Sequence, residues 1–99
     1  MIVILGTLRF PPQNMAQVRP HLQTLVGETN RSDGPIAYDV GEDPFDPGLI
    51  RFSEVWTDTD ILDRHLQAPH MPPWRAICAQ FGATGRDFTV YQADNGRPL

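Results

Sequence analysis

The sequence predicts an α+β fold of the ferredoxin-like split βαβ kind. Its element order is β-α-β-β-α-β, with a four-stranded antiparallel sheet and helices on one face. Three observations predict it. Four short stretches, residues 2–10, 35–42, 49–57 and 86–92, carry strand-like apolar patterns. One apolar stripe at helical spacing follows the first strand, and shorter ones precede the last. Ten prolines and eight glycines, most of them between these stretches, act as punctuation.

Each element has its own reason. Residues 2–10 (IVILGTLRF) place Ile2, Ile4, Leu8 and Phe10 on one face and Val3, Leu5 and Thr7 on the other, so both sides are expected to be covered. Pro11 and Pro12 end the strand. In the next stretch Met15, Val18, Leu22, Leu25 and Val26 form one helical stripe, with Pro20 inside it. A kinked helix is expected, or one whose regular part begins near Pro20. Asn30–Gly34 reads as a loop. Residues 35–42 and 49–57 read as a hairpin joined by the turn formers Asp43–Gly48. Asp58 or Thr59 is placed to cap a short helix bearing Ile61, Leu62, His65 and Leu66, and Pro69 ends it. Pro72 and Pro73 open a further helix with Trp74, Ile77, Cys78 and Phe81 inward, which Gly82 and Gly85 break. Residues 93–99 are expected to be a loose tail.

With 99 residues the chain is one domain, residues 1–99, with a thin core. Helices can cover one face of such a sheet only. The other face keeps apolar groups that a monomer would leave in water, which predicts a homodimer through the open sheet face, closing a dimeric α/β barrel. Composition excludes several functions. A formal charge of −4 with no basic run gives no footing for nucleic acid or anionic lipid. A single cysteine, Cys78, cannot form an internal disulfide and suits a reducing compartment. The opening run Ile2–Leu5 is too short for a signal or membrane-spanning segment, so a cytoplasmic protein is expected.

The residues with chemical potential are few. Alternation puts Glu54 beside Phe52 and Trp56 on one strand face, where a carboxylate needs a partner or a raised pKa. His65 follows on the inward side of the next helix, a general acid or base near neutral pH. Tyr38 lies one strand away and can donate to a substrate carbonyl. His70 comes five residues after His65, with Pro69 between, so helical spacing does not place the two imidazoles on one face. No metal site is expected, and no phosphate or dinucleotide loop occurs. Phe52, Trp56, Trp74 and Phe81 with a few polar groups suit a mostly apolar small-molecule cavity.

At these residues the chain resembles the antibiotic biosynthesis monooxygenase family, including its quinol monooxygenase branch. The resemblance rests on Gly34, Tyr38, Asp46-Pro47, Glu54-x-Trp56, His65 and Ala68-Pro69-His70. It implies a dimeric α+β barrel without cofactor that oxidises quinol-like or polycyclic phenolic molecules with molecular oxygen. It further implies His65 as the proton-transfer group, Trp56 in the pocket, and Tyr38 and Glu54 as polar partners. Phe52, His70, Trp74 and Phe81 are expected to bind the substrate. Haem-degrading relatives carry an Asn in the first strand, where this chain reads Leu5-Gly6-Thr7. The alternatives are an isomerase or lyase acting on a small carbonyl compound with His65 as base, or a non-catalytic dimer binding an aromatic ligand, with haem a special case.

Overall fold

A computed structural model describes residues 1–99. The strands are β1 (Ile2–Arg9), β2 (Ala37–Glu42), β3 (Leu49–Trp56) and β4 (Thr84–Gln92). The helices are α1 (Met15–Ser32), α2 (Thr59–Leu66) and α3 (Met71–Gln80), with a 3-10 turn at Pro12–Asn14 before α1. The sheet order is β2-β3-β1-β4 and every pairing is antiparallel. This is the ferredoxin-like α+β architecture that the element order predicts.

The even-numbered residues of β1 face the helices. Ile2, Ile4, Leu8 and Phe10 are buried with Met15, Val18, Leu22 and Leu25 of α1 and with Ile50, Phe52 and Trp56 of β3. The odd-numbered face carries Val3, Leu5, Thr7, Val55 and Tyr91, and no helix covers it. Leu5 stays 50% exposed and Tyr91 48%. Pairing of Gly6 with Phe52 on one side and Phe88 on the other explains why this position has no side chain. The Phe88 ring lies over Gly6, where an added Cβ would sit 2.2 Å from Phe88 Cδ2. From there Phe88 reaches Phe52, ring centroids 5.1 Å apart.

Two expectations about boundaries are corrected. Pro20 neither starts nor ends a helix: α1 begins at Met15, and Pro20 lies in its second turn on the exposed side. The carbonyl that loses its donor belongs to Ala16, also an exposed residue, so the missing hydrogen bond costs no buried group. The loop expected at Asn30–Gly34 is shorter. The helix runs to Ser32 because Asn30 Nδ2 donates to the Val26 and Tyr38 carbonyls, and the Asp33 N–H closes the last turn on Thr29. Asp58 caps α2 as predicted, its side chain accepting from the Ile61 N–H at 2.9 Å. No helix is long and apolar enough to cross a membrane.

Candidate active site

A cavity of about 560 Å³ opens between the helix-facing side of the sheet and helices α2 and α3. Ile4 and Leu8 of β1, Phe52 of β3 and Phe88 of β4 give it an apolar wall, and Met71 and Trp74 of α3 form part of the opposite side. Tyr38, Glu54 and His65 supply polar groups at one end; Arg75 and Arg86 also line it. A concave, mostly apolar space with few polar groups is the general form of a small-molecule site.

His65 sits in the last turn of α2 with its side chain 3% exposed. Its Nδ1 lies 2.7 Å from Asp33 Oδ2. The same oxygen lies 2.8 Å from His70 Nε2, and Thr29 Oγ1 lies 3.3 Å from that nitrogen. Asp33 closes the C-terminus of α1, where the helix dipole disfavours an anion. Two imidazole N–H groups compensate it there. With Nδ1–H donating to the carboxylate, His65 keeps the tautomer whose Nε2 lone pair is free. No buried side-chain nitrogen or oxygen lacks a partner, and Nε2 makes no protein hydrogen bond, so it remains accessible on the cavity side.

Aromatic rings fix the imidazole from two directions. The Trp56 ring lies 4.7 Å from it and the Tyr38 ring 5.4 Å, both centroid to centroid. Burial pushes the His65 pKa below its ordinary 6.5; the Asp33 carboxylate pulls the other way without overcoming it, and His70 and Arg75 add to the lowering. The imidazole is therefore neutral at pH 7, as a base must be. Glu54 is shifted upward from its ordinary 4.5 by burial, against the hydrogen bond it accepts from Trp56 Nε1 at 3.0 Å. Burial also pushes the Tyr38 phenol far above its ordinary 10, helped by the charges of Glu54 and Asp33 and opposed by a hydrogen bond with Thr29. Tyr38 stays a phenol, able to donate but not to act as a base.

The structure thus gathers Tyr38, Glu54, Phe52, His65 and Trp74 around one cavity. It moves three other residues elsewhere. Trp56 is fully buried beneath Tyr38 and His65 and does not line the space. Phe81 ends α3 outside it, with its ring 6.4 Å from His21: two residues past Ala79, it points to the other side of the helix, toward α1. His70 lies behind His65 and faces a second hollow of about 120 Å³. The two imidazoles share no helix face, as the spacing requires, yet they meet for a tertiary reason: His70, at the N-cap of α3, and His65 both contact Asp33, at the C-cap of α1. Asp33 had no signal in the sequence beyond its place in a turn-forming stretch. Arg75 was recognisable as a basic group near the pocket, whereas Arg86 and Phe88 were missed because which β4 residues face the helices depends on sheet register.

Asp33, His65 and His70 are also the three side chains that could hold a metal ion, their ligand atoms lying within 4.8 Å of one another. The donor types suit zinc or iron. The nitrogen–oxygen separations of 2.7 and 2.8 Å are hydrogen-bond lengths. They are shorter than the roughly 3.3 Å between neighbouring ligands of a tetrahedral zinc site with metal–nitrogen bonds of about 2.0 Å. The cluster fits a proton-sharing network better than a metal cage.

The family model for antibiotic biosynthesis monooxygenases matches residues 1–76, which includes β1 to β3, α2, Asp33, His65 and His70. The chain belongs to the antibiotic biosynthesis monooxygenase family. A solved structure from Deinococcus radiodurans that carries the family's name superposes with a TM-score of 0.90 at 25% identity, covering 100% of this chain and 98% of that one. A second structure named antibiotic biosynthesis monooxygenase matches at 25% identity and a TM-score of 0.84, covering 95% and 99%. Among curated proteins, an uncharacterized protein of Synechocystis is 29% identical over 69 residues. Those cover 70% of this chain but 47% of the relative, so the chain spans about half the length of that protein. Family membership supports monooxygenase-like chemistry in general; β4, which carries Arg86 and Phe88, lies beyond the matched residues.

Proposed function

We propose that the protein is a cofactor-independent monooxygenase acting on a quinol-like or polycyclic phenolic molecule. The observation that carries this reading is His65 at the end of an apolar cavity, its Nδ1 held by Asp33 and its Nε2 free. A flat phenol lies against Phe52, Trp74 and Phe88, with its hydroxyl toward His65 and Tyr38 within donating reach of the oxygen. His65 Nε2 takes the phenolic proton, and the resulting electron-rich anion reacts with oxygen at a ring carbon ortho or para to that oxygen which still bears a hydrogen. Loss of water from the hydroperoxide leaves a quinone. One oxygen atom enters the product and one leaves as water, so the substrate itself supplies all the electrons and no external reductant is needed. Excluding bulk water protects the anion until oxygen arrives.

The reading extends to a homodimer. The uncovered sheet face presents Val3, Leu5, Val55 and Tyr91 in a cluster, and pairing it with a second copy would hide these side chains. Light scattering tests it, with Leu5→Arg expected to yield single copies.

Oxygen uptake with a panel of hydroquinones and polycyclic phenols, wild type against His65→Ala, tests the reaction. Uptake by the wild type that the variant loses supports it. Equal rates remove His65 from the mechanism, and turnover under strict anaerobiosis replaces oxidation by isomerisation.

A further inference from the structure

The geometry points to a carboxylate on the aromatic substrate, recognised by Arg75 and Arg86 in the same cavity. This inference rests on the reading of the cavity as an aromatic-binding site and names the class of molecule it takes: a planar aromatic acid. All eight basic residues of the chain are arginines, against twelve acidic residues. Four of them, Arg9, Arg19, Arg31 and Arg51, are ion-paired with carboxylates on the surface. Two that are not so paired, Arg75 and Arg86, both line the cavity.

Neither guanidinium is left to wander. Arg75 Nη2 donates to the Leu66 carbonyl at 2.8 Å, which ties α3 to the end of α2 and uses one edge of the group. Arg86 Cζ stands 4.8 Å from the centroid of the Phe88 ring, a cation–π contact that holds it against a cavity wall. Holding the side chains in advance removes part of the ordering cost of binding, and the planar fork of each matches a carboxylate. The one carboxylate among the lining residues is Glu54; it accepts from Trp56 and feels the Arg86 charge, but forms no ion pair with it. Counted with Glu54 ionised and His65 neutral, the lining carries one net positive charge. One carboxylate balances it.

Three matched probes test this: 2-naphthol, 6-hydroxy-2-naphthoate and its neutral 6-carboxamide counterpart. Binding is followed under anaerobic conditions by isothermal titration calorimetry, so no turnover enters the result. The acid is expected to bind at least about tenfold tighter than the naphthol and the amide, the size of a charge-assisted pair of hydrogen bonds, and to lose that advantage in high salt. Arg75→Gln and Arg86→Gln are expected to bring the acid down to the affinity of the amide and to leave the naphthol unchanged. Equal affinity of acid and amide for the wild type overturns the proposal. So does an equal weakening of all three probes in the arginine variants, which would mark them as structural. His65→Ala is expected to keep the preference for the acid; loss of oxygen uptake with that preference intact separates the catalytic reading from this one.

Discussion

At the β2 end of the cavity the polar side chains of Thr29, Asp33, Tyr38, Glu54, His65 and His70 find their partners within the chain. Trp56 fills the space beneath them with no exposure at all. At the β4 end the strand is exposed over nearly its whole length, and Arg75 and Arg86 form no ion pair with a carboxylate, although the Arg86 charge reaches Glu54 and lowers its pKa. The difference has a physical origin. Groups that must hold one protonation state and one direction are fixed by burial and hydrogen bonds. Groups that meet a ligand from outside keep their strongest interactions unspent. In the proposed reading the first end serves proton chemistry and the second recognition.

The sharpest way to break this contrast is to remove the base. His65→Ala is expected to lower oxygen-consuming turnover by about 10²- to 10⁴-fold, the usual contribution of a positioned proton-transfer group. A circular-dichroism melt should show the variant still folded. A variant that loses turnover only because it unfolds would leave the two ends indistinguishable.

Packing under the closed end should be expensive to disturb. Trp56→Ala is expected to cost about 3–5 kcal/mol in denaturant unfolding, because a fully buried ring is replaced by a cavity and Glu54 loses its donor. Val90→Ala, at a position 57% exposed on β4, should cost less than about 1 kcal/mol. Similar costs at both positions would show that the rim is covered in solution.

A gentler change sharpens the role of Asp33. Its hydrogen bond and charge hold the His65 pKa up against burial, so Asp33→Asn should move the acid limb of the pH–rate profile to lower pH. The variant should also turn over roughly tenfold or more slowly, because the tautomer is no longer enforced. An unmoved limb with a slower rate would make Asp33 purely structural.

The smallest effects lie in stability against pH, and the two titrating groups have opposite signs. His65 is held neutral in the fold, so the unfolded chain binds its proton first and stability falls as pH drops below about 6.5. Glu54 is shifted upward, so the fold binds that proton first and stability falls as pH rises from about 4.5 into the raised range. Glu54→Gln keeps an acceptor for Trp56 and should add up to about 1 kcal/mol near neutral pH, read from melts across the range.

Much of this molecule was legible in its residue pattern. Alternation put Phe52, Glu54 and Trp56 on one face of β3, and helical spacing put Leu62 and His65 inward on α2; both follow from backbone periods of two and 3.6 that any short segment obeys. Element order, the Asp58 cap of α2 and the uncovered sheet face followed from the same local rules, and of the residues behind the family resemblance the structure brings Tyr38, Glu54, Trp56, His65 and His70 together. What the fold alone decided were the meetings between segments remote in sequence. Asp33 lies 32 residues from His65 and 37 from His70, yet one carboxylate oxygen joins all three. Arg75 and Arg86 share a cavity because α3 and β4 return to the same side of the sheet. Periodicity reports which way a side chain points from its own backbone. Which other side chain it finds there depends on how the segments are joined and packed in space.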